Sequence, residues 1–229
     1  SSLQTNFLYG IATDLAIPGF SYLNLNFYRR NNDGVADNWQ LTTTWALPFS
    51  LGEHAVVKMG AKIYGATTIG PFCKVGGEIT NCVFQAYSNK GHDGFLGNSL
   101  VGEWCNFGAD SNTSNLKNNY SMIRSWSYEE GAEVETGLQF MGVSMGDHSK
   151  CAINTMFNTA TVVGVSCNIF GGGFPIKFIP SFSWGAVNGT ELFDLAKAKQ
   201  SANAMMNRRD LELTEADHHI LDHLAKHGG

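Results

Sequence analysis

An aliphatic or aromatic residue returns at every sixth position along three stretches of this 229-residue chain, and a small residue stands four places after it. The first stretch carries Leu51, Val57, Ile63, Ile69 and Val75 on the beat, with Ala55, Ala61, Thr67 and Cys73 at the small position. The second has Phe95, Val101 and Phe107 with Ser99, Cys105 and Ser111; extended backwards it reaches Val83 but meets the polar Asn89 on the way. The third has Met145, Cys151, Phe157, Val163 and Ile169 with Ser149, Thr155, Thr161 and Cys167. A period of six matches neither an amphipathic helix nor an alternating strand, and self-similarity at a fixed period marks a solenoid. Three hexads make one triangular coil. At each corner of a narrow prism the large side chain points inward and stacks on its equivalent in the next coil, and only a small residue fits the tight inward place nearby. One coil cannot bury its own interior, so several must stack. At about 18 residues per coil, the three stretches predict between about four and five coils.

Four segments follow. Residues 1–50 do not keep the beat; within them Tyr22 to Arg29 and Trp39 to Phe49 roughly alternate polar and apolar residues around Asn31-Asn32-Asp33-Gly34, which is turn chemistry for a β-hairpin. Residues 51–185 form the predicted solenoid, with a two-residue register slip between Val75 and Val83 and a break from 114 to 144, where Ser121 to Glu135 reads as a protruding loop or hairpin. The third stretch runs to Phe174, and Phe178 to Gly185 reads as a loop. Residues 186–229 turn helical: Glu191 to Arg209 and Thr214 to His227 have helical spacing, and Thr214 with Asp217 resembles a capping box. The expected fold is mostly β, a left-handed parallel β-helix with C-terminal α-helices and an N-terminal hairpin segment.

Composition narrows the function. Hydrophobic residues make up 43% and charged residues 15% of the chain, enough for one substantial core with appendages. A formal net charge of −5 argues against a nucleic-acid surface, because nothing concentrates Lys and Arg along one face. No apolar stretch approaches membrane-spanning length and no signal peptide is seen. The five cysteines form no CxxC pair, and Cys73, Cys105 and Cys167 fall at the small inward position, so they read as free buried thiols in a reducing, cytoplasmic setting. The chain begins with Ser1 rather than Met, so it is expected to be processed or a fragment.

A polar residue in place of a core beat is expected where a site has been built into a rigid scaffold, and Asn89 marks such a coil. Beside it lie Lys90-Gly91-His92-Asp93-Gly94-Phe95-Leu96-Gly97 and Asn106-Phe107-Gly108-Ala109-Asp110-Ser111-Asn112-Thr113-Ser114-Asn115. With the hexads, these stretches resemble the left-handed β-helix acetyltransferase half of the bifunctional N-acetylglucosamine-1-phosphate uridyltransferase family. Residues 51–185 are closer still to its sugar-phosphate nucleotidyltransferase-like members. The hexads are shared by many acyltransferases; Gly-His followed by Leu-Gly and then Asn-x-Gly-Ala is more specific.

The resemblance implies a role for each matching position. His92 falls where the family has its catalytic base, which takes a proton as the sugar's 2-amino group attacks the acetyl-CoA thioester; an imidazole titrating near pH 6.5 suits that task. Asn115 falls on an asparagine that holds the sugar and orients the reacting groups, and Asn106 on one that contacts the sugar. Phe95 stands where a sugar-binding tyrosine is expected, so a hydroxyl contact is missing and the identity of the sugar stays open. Ala109 corresponds to a backbone contact to the coenzyme. Ile153 and Gly171 lie one coil apart, with backbone N–H groups placed for the thioester oxyanion or the pantetheine arm. Each has a plainer reading: a turn residue for His92 or Asn115, packing for Phe95 and Ile153, a flexible exit for Gly171.

Other chemistries fit less well. The β-helix also resembles in outline the gamma-class carbonic anhydrases, which need three histidines for zinc. Here His54, His92 and His148 are isolated, and His219 and His223, which share a helix face, read as a solvated polar face, so no metal is expected for the acetyl transfer. The glycine-rich, Arg- and Lys-bearing nucleotide-binding segment of the family's uridylyltransferase half is missing, so synthesis of a nucleotide sugar is not expected. Residues 24–49 resemble instead a hairpin of the nucleoside-specific outer-membrane channel family, although two strands cannot close a barrel. The reading is a homotrimeric acetyltransferase that moves acetyl from acetyl-CoA to the amino group of a sugar phosphate such as glucosamine-1-phosphate. The alternative is a non-catalytic, partner-binding β-solenoid, the remnant of a sugar nucleotidyltransferase.

Overall fold

The computed structural model describes residues 49–227 and, before them, the backbone of five short strands. Residues 1–50 and 51–229 are two compact units, each described by itself. In the first, Leu25–Arg30 pairs antiparallel with Ala36–Gln40, and Tyr9–Ala12 pairs with the other edge of Leu25–Arg30. The expected second strand, Trp39 to Phe49, shares Trp39 and Gln40 with Ala36–Gln40, and the Asn31 to Gly34 turn lies outside the described residues.

The second unit is a parallel β-helix with three faces. Its first face stacks Thr67–Ile69, Val83–Phe84, Leu100–Val101, Ser144–Met145, Val162–Val163 and Phe178–Ile179 after Phe49–Leu51. The second stacks Val56–Val57, Lys74–Val75, Asn89–Lys90, Asn106–Phe107, Lys150–Cys151, Asn168–Phe170 and Ser183–Ala186, and is closed by the antiparallel Thr190–Leu192. The third face carries Lys62–Tyr64, Glu78–Thr80 and Phe95–Gly97, then Asn112–Thr113 and Met156–Phe157. Each coil is hydrogen-bonded to the next as parallel strands, as in Gly70 N–H to Phe84 O at 2.9 Å and Gly146 N–H to Val163 O at 2.9 Å.

The inward columns follow the beat where it holds: Met145, Cys151, Phe157, Val163 and Ile169 are all buried. Between Val75 and Val101 they do not. The Gly76-Gly77 corner separates inward Val75 from inward Ile79 by four residues instead of six, and the next inward residues are Phe84, Lys90 and Leu96. Val83, Asn89 and Phe95 consequently face outward, one place off the predicted beat. Two residues are lost at Gly76-Gly77, which tolerate the shortened turn because Gly77 takes φ +71°, one more between Ile79 and Phe84, and one between Leu96 and Val101, and the last sets the one-place offset. The stack also exceeds the predicted four to five coils: the first face has seven strands, because coils with shortened corners escape a strict period of six, and Phe178 to Gly185 is a further coil rather than a loop.

The corner between the first and second faces has a ladder of its own. His54, Phe72, Tyr87, Trp104, His148, Ser166 and Phe182 recur there with φ between 55° and 60°, a conformation uncommon for bulky residues. Stacking of Phe72 on Tyr87 at 5.0 Å and of Tyr87 on Trp104 at 4.1 Å offsets part of that cost. Two helices, α1 (Leu195–Met206) and α2 (Glu215–His227), and Leu213 between them cover this corner, where Ala198, Ala202, Met206, Leu213 and Leu221 pack with Trp104 and Phe182. Helix α1 starts later than the predicted Glu191, because Thr190–Leu192 adds a strand and Asp194 caps the helix by accepting the Lys197 N–H at 2.9 Å. The Thr214–Asp217 capping box forms as read, with the Thr214 N–H on Asp217 Oδ2 at 2.8 Å and the Asp217 N–H on Thr214 Oγ1 at 3.2 Å.

At the small inward positions Cys73, Cys105 and Cys167 are fully buried and free, and each thiol donates to a carbonyl of the following coil: Gln85, Gly146 and Pro180 respectively. Burial pushes the Cys105 thiol up to about 12 and that of Cys82 to about 11. The insertion between Thr113 and Ser144 contains a hairpin, Arg124–Ser127 with Ala132–Glu135. It folds back on the coil after it: Trp126 stacks on Phe178 at 4.1 Å, and Lys177 Nζ donates to Arg124 O at 2.8 Å.

Candidate functional site

Four of the residues singled out from sequence occupy one equivalent position. His92, Ala109, Ile153 and Gly171 each stand two residues beyond the inward residue of the second face, namely Lys90, Phe107, Cys151 and Ile169. They therefore climb the corner between the second and third faces over four consecutive coils. At roughly 4.8 Å per coil the line is about 14 Å long, with His92 at its lower end. Backbone hydrogen bonds hold the rungs: Asp110 N–H to Asp93 O at 3.0 Å and Asn154 N–H to Ala109 O at 2.8 Å. The second of these takes one of the two lone pairs of the Ala109 carbonyl. The rungs approach closely at Gly108, where a Cβ would stand 2.4 Å from Ile153 N.

The line is open to solvent. His92 is exposed, and the Ile153 side chain is 68% exposed, so packing does not account for it. Gly171 holds φ +127°, a backbone conformation that side chains disfavour, and the glycine is therefore required by the turn itself.

Phe95 and Asn115 meet elsewhere, on the third face. The ring of Phe95 and the amide of Asn115 both overhang Gly97, where an added Cβ would lie 2.6 Å from Phe95 Cζ and 2.7 Å from Asn115 Nδ2. Asn115 donates through Nδ2 to Asn98 Oδ1 at 2.8 Å, which directs its Oδ1 to act as acceptor, and the Phe95 N–H donates to Asn112 Oδ1 at 2.8 Å. Phe95, Gly97, Asn98 and Asn115 thus form a shallow cradle with an apolar wall and amide groups. Asn115 also continues a column of corner asparagines, Asn81 and Asn98, that hold φ 52° and 49°.

The structure does not bring every predicted residue together. About 13 Å of strand, at roughly 3.3 Å per residue, separates the corner of His92 from that of Asn115 within one chain. Asn106 lies on the outer side of the second face, in a polar column with Lys74, Asn89 and Lys150. The amide oxygen of Asn89 is buried there without a hydrogen-bond partner.

Sequence reasoning missed Lys90, Gly97, Asn98 and Asn112. Lys90 escapes the beat because Leu96 and Val101 stand five residues apart, so sixes counted back from Val101 fall on Asn89 instead. The shortening lies at the Gly97-Asn98 corner, where Asn98 takes φ 49°.

No family model matches the chain. The bifunctional protein GlmU of Methanocaldococcus jannaschii is 29% identical over 90 residues, which are 39% of this chain and 21% of that protein. The chain thus spans about a fifth of the length of the curated relative it matches, and that relative bears the name of the family read from the hexads and the Gly-His motif. Among solved structures, the N-acyltransferase AntD of Bacillus cereus, in complex with dTDP-4-amino-4,6-dideoxyglucose and coenzyme A, has a TM-score of 0.47 at 9% identity, covering 64% of this chain and 82% of that one. The polySia-specific acetyltransferase NeuO has a TM-score of 0.27 at 12% identity, covering 63% and 85%.

Proposed function

We propose that the chain is an acyl-CoA-dependent N-acyltransferase, moving acetyl from acetyl-CoA to the amino group of a sugar phosphate such as glucosamine-1-phosphate, with His92 as the general base. One observation carries the reading: an exposed imidazole stands at the foot of a solvent-facing corner whose next three rungs are the positions predicted to hold the coenzyme. That length of about 14 Å suits an extended pantetheine arm running up the corner and delivering its thioester near His92. The relative GlmU supports the same class of chemistry.

In this mechanism the substrate amine attacks the thioester carbonyl carbon while His92 accepts a proton from the nitrogen. The C–S bond then breaks, the amide forms, and the coenzyme leaves as a thiol that takes up the proton. The backbone N–H groups of Ala109, Ile153 and Gly171 line the coenzyme path and are the donors available to its amides and to the oxyanion. Phe95 and the amide of Asn115 supply an apolar face and a polar edge for a sugar ring, and Asn106 flanks the corner on its other side. Because Asn115 is separated from His92 in one chain, the reading places the complete site between copies of a homotrimer. The buried thiols suit a cytoplasmic setting.

The test is release of free thiol from acetyl-CoA in the presence of glucosamine-1-phosphate and other amino-sugar phosphates, comparing the intact chain with His92→Ala. Amine-dependent release that disappears in the variant is expected. Release that persists removes His92 from the chemistry, and none in either protein across the amines favours a partner-binding solenoid.

A further inference from the structure

Lys90 is a lysine inside the prism. It occupies the inward column of the second face, where neighbouring coils have Val75, Phe107, Cys151 and Ile169, and it is 1% exposed. Among the described residues no carboxylate forms an ion pair with it. Its Nζ is held instead by main-chain carbonyls, donating to His92 O at 2.5 Å, to Asp93 O at 2.9 Å and, at the limit of a hydrogen bond, to Gly76 O at 3.5 Å. Three acceptors around one nitrogen suit an ammonium group. Burial pulls its pKa below the ordinary lysine value, and Asp93, Cys151 and Asp110 oppose that pull.

The corner below explains why the charge is tolerated there. The Gly76-Gly77 turn is two residues shorter than the Gly91 to Phe95 turn above it, so the lower coil has too few N–H groups for the longer loop. Two of them bond to the loop: Gly76 N–H goes to Lys90 O at 2.7 Å and Glu78 N–H to Gly94 O at 3.1 Å. Asp93 O gains a second donor from Asp110 N–H in the coil above. For His92 O the donor in the structure is the Lys90 ammonium. A buried carbonyl without a partner is costly, and a long flexible side chain from the neighbouring inward position is the short route to one.

We infer that Lys90 is a positioning residue for His92: from inside the prism its ammonium fixes the His92–Asp93 peptide units and so sets the height and direction of the imidazole at the foot of the corner. The role rests on the reading of His92 as the base, but the anchoring can be measured without it. Lys90 touches neither coenzyme nor sugar in this scheme.

The experiment compares Lys90→Met with the full chain by three readouts: thermal midpoint, amide hydrogen exchange, and the kcat and KM of acetyl transfer. Methionine fits a column of Val75 and Phe107 and removes a buried charge but leaves the His92 carbonyl without its donor, so the two effects oppose and the thermal midpoint is expected to shift by no more than about 5 °C. Exchange at Gly76, Glu78 and Asp110, whose N–H groups are bonded to Lys90 O, Gly94 O and Asp93 O of the loop, should accelerate by about tenfold or more while Ile79 and Leu96 keep wild-type protection. The kcat should fall by about tenfold or more with the KM for acetyl-CoA changed by less than about threefold. Lys90→Gln, which keeps a shorter donor, should give intermediate exchange and kcat, and it carries the comparison if Lys90→Met does not yield folded protein. Wild-type exchange at Gly76, Glu78 and Asp110 in the variant overturns the inference, and so does acceleration that is equal at Ile79 and Leu96. Exchange that accelerates at those three amides while kcat is unchanged overturns the functional half. If the unaltered chain acetylates no amino sugar, the proposed function fails and exchange alone decides the anchoring.

Discussion

Replacing His148 by phenylalanine should remove a large part of the acid sensitivity of the β-helix. His148 sits in the aromatic corner ladder, its ring parallel to Trp104 at 6.4 Å, and its Nδ1 is buried without a hydrogen-bond partner. Its pKa is lowered from 6.5 to about 4, mainly by burial and next by the Lys150 charge, with Asp147 and Asp217 pulling weakly the other way. Because the folded chain holds the proton less tightly than the unfolded chain, the neutral ring is what the fold accommodates. Above pH 6.5 both states are neutral and this contribution is fully present. As pH falls from 6.5 towards 4 the unfolded state takes up a proton that the folded state refuses, and stability is lost; below about 4 both are protonated and the loss stops. The difference between 6.5 and about 4 amounts to about 3 kcal/mol at most. In His148→Phe the stack on Trp104 is kept and no proton can bind. Urea unfolding followed by tryptophan emission, at half-unit steps from pH 4 to 8, should give a wild-type-minus-variant stability difference that declines by up to about 3 kcal/mol on acidification. A difference that is flat across this range, or that grows as pH falls, refutes the reasoning. Other titrating groups, Glu103 and Asp217 included, are common to both chains and largely cancel.

Three further outcomes follow from the packing. Gly97→Ala drives a methyl group into the Phe95 ring and the Asn115 amide, and should raise the KM for the amino sugar by about tenfold while leaving the KM for acetyl-CoA nearly unchanged, as steady-state kinetics on both substrates would show. Gly108→Ala places a Cβ 2.3 Å from Ala152 C and 2.4 Å from Ile153 N, both backbone atoms, so the coils must part; a loss of about 1–3 kcal/mol in chemical unfolding is expected. The buried thiols, with Cys82 at about 11 and Cys105 at about 12, should resist a disulfide-exchange reagent at pH 8 in the native chain and react once it is unfolded; rapid native labelling of Cys105 would contradict the burial.

Much of this architecture was legible along the chain. The coils from Met145 to Ile169 keep a strict six-residue beat, and there every inward residue and every small corner residue was identified from spacing alone, because the prism admits one large and one small side chain per side. The Thr214–Asp217 box was equally local, since a capping contact needs only residues three apart. His92, Ala109, Ile153 and Gly171 were identified one by one through a resemblance. That they occupy a single equivalent position on four coils becomes visible once the five-residue step from Leu96 to Val101 is counted.

What the sequence determined by itself is therefore the repeating part: a period of six, a triangular interior, helices after it, and a histidine in the coil where the period breaks. Tertiary structure decided the rest, because its causes act between coils rather than along the chain. A five-residue step from Leu96 to Val101 put Phe84, Lys90 and Leu96 inward in place of Val83, Asn89 and Phe95, and the short Gly76-Gly77 corner beneath the His92 loop left the His92 carbonyl to a lysine in the interior. Tertiary structure also set Asn115 over Gly97 beside Phe95, a strand's length from His92, since hydrogen-bonded stacking fixes which residues share a corner and which are held apart.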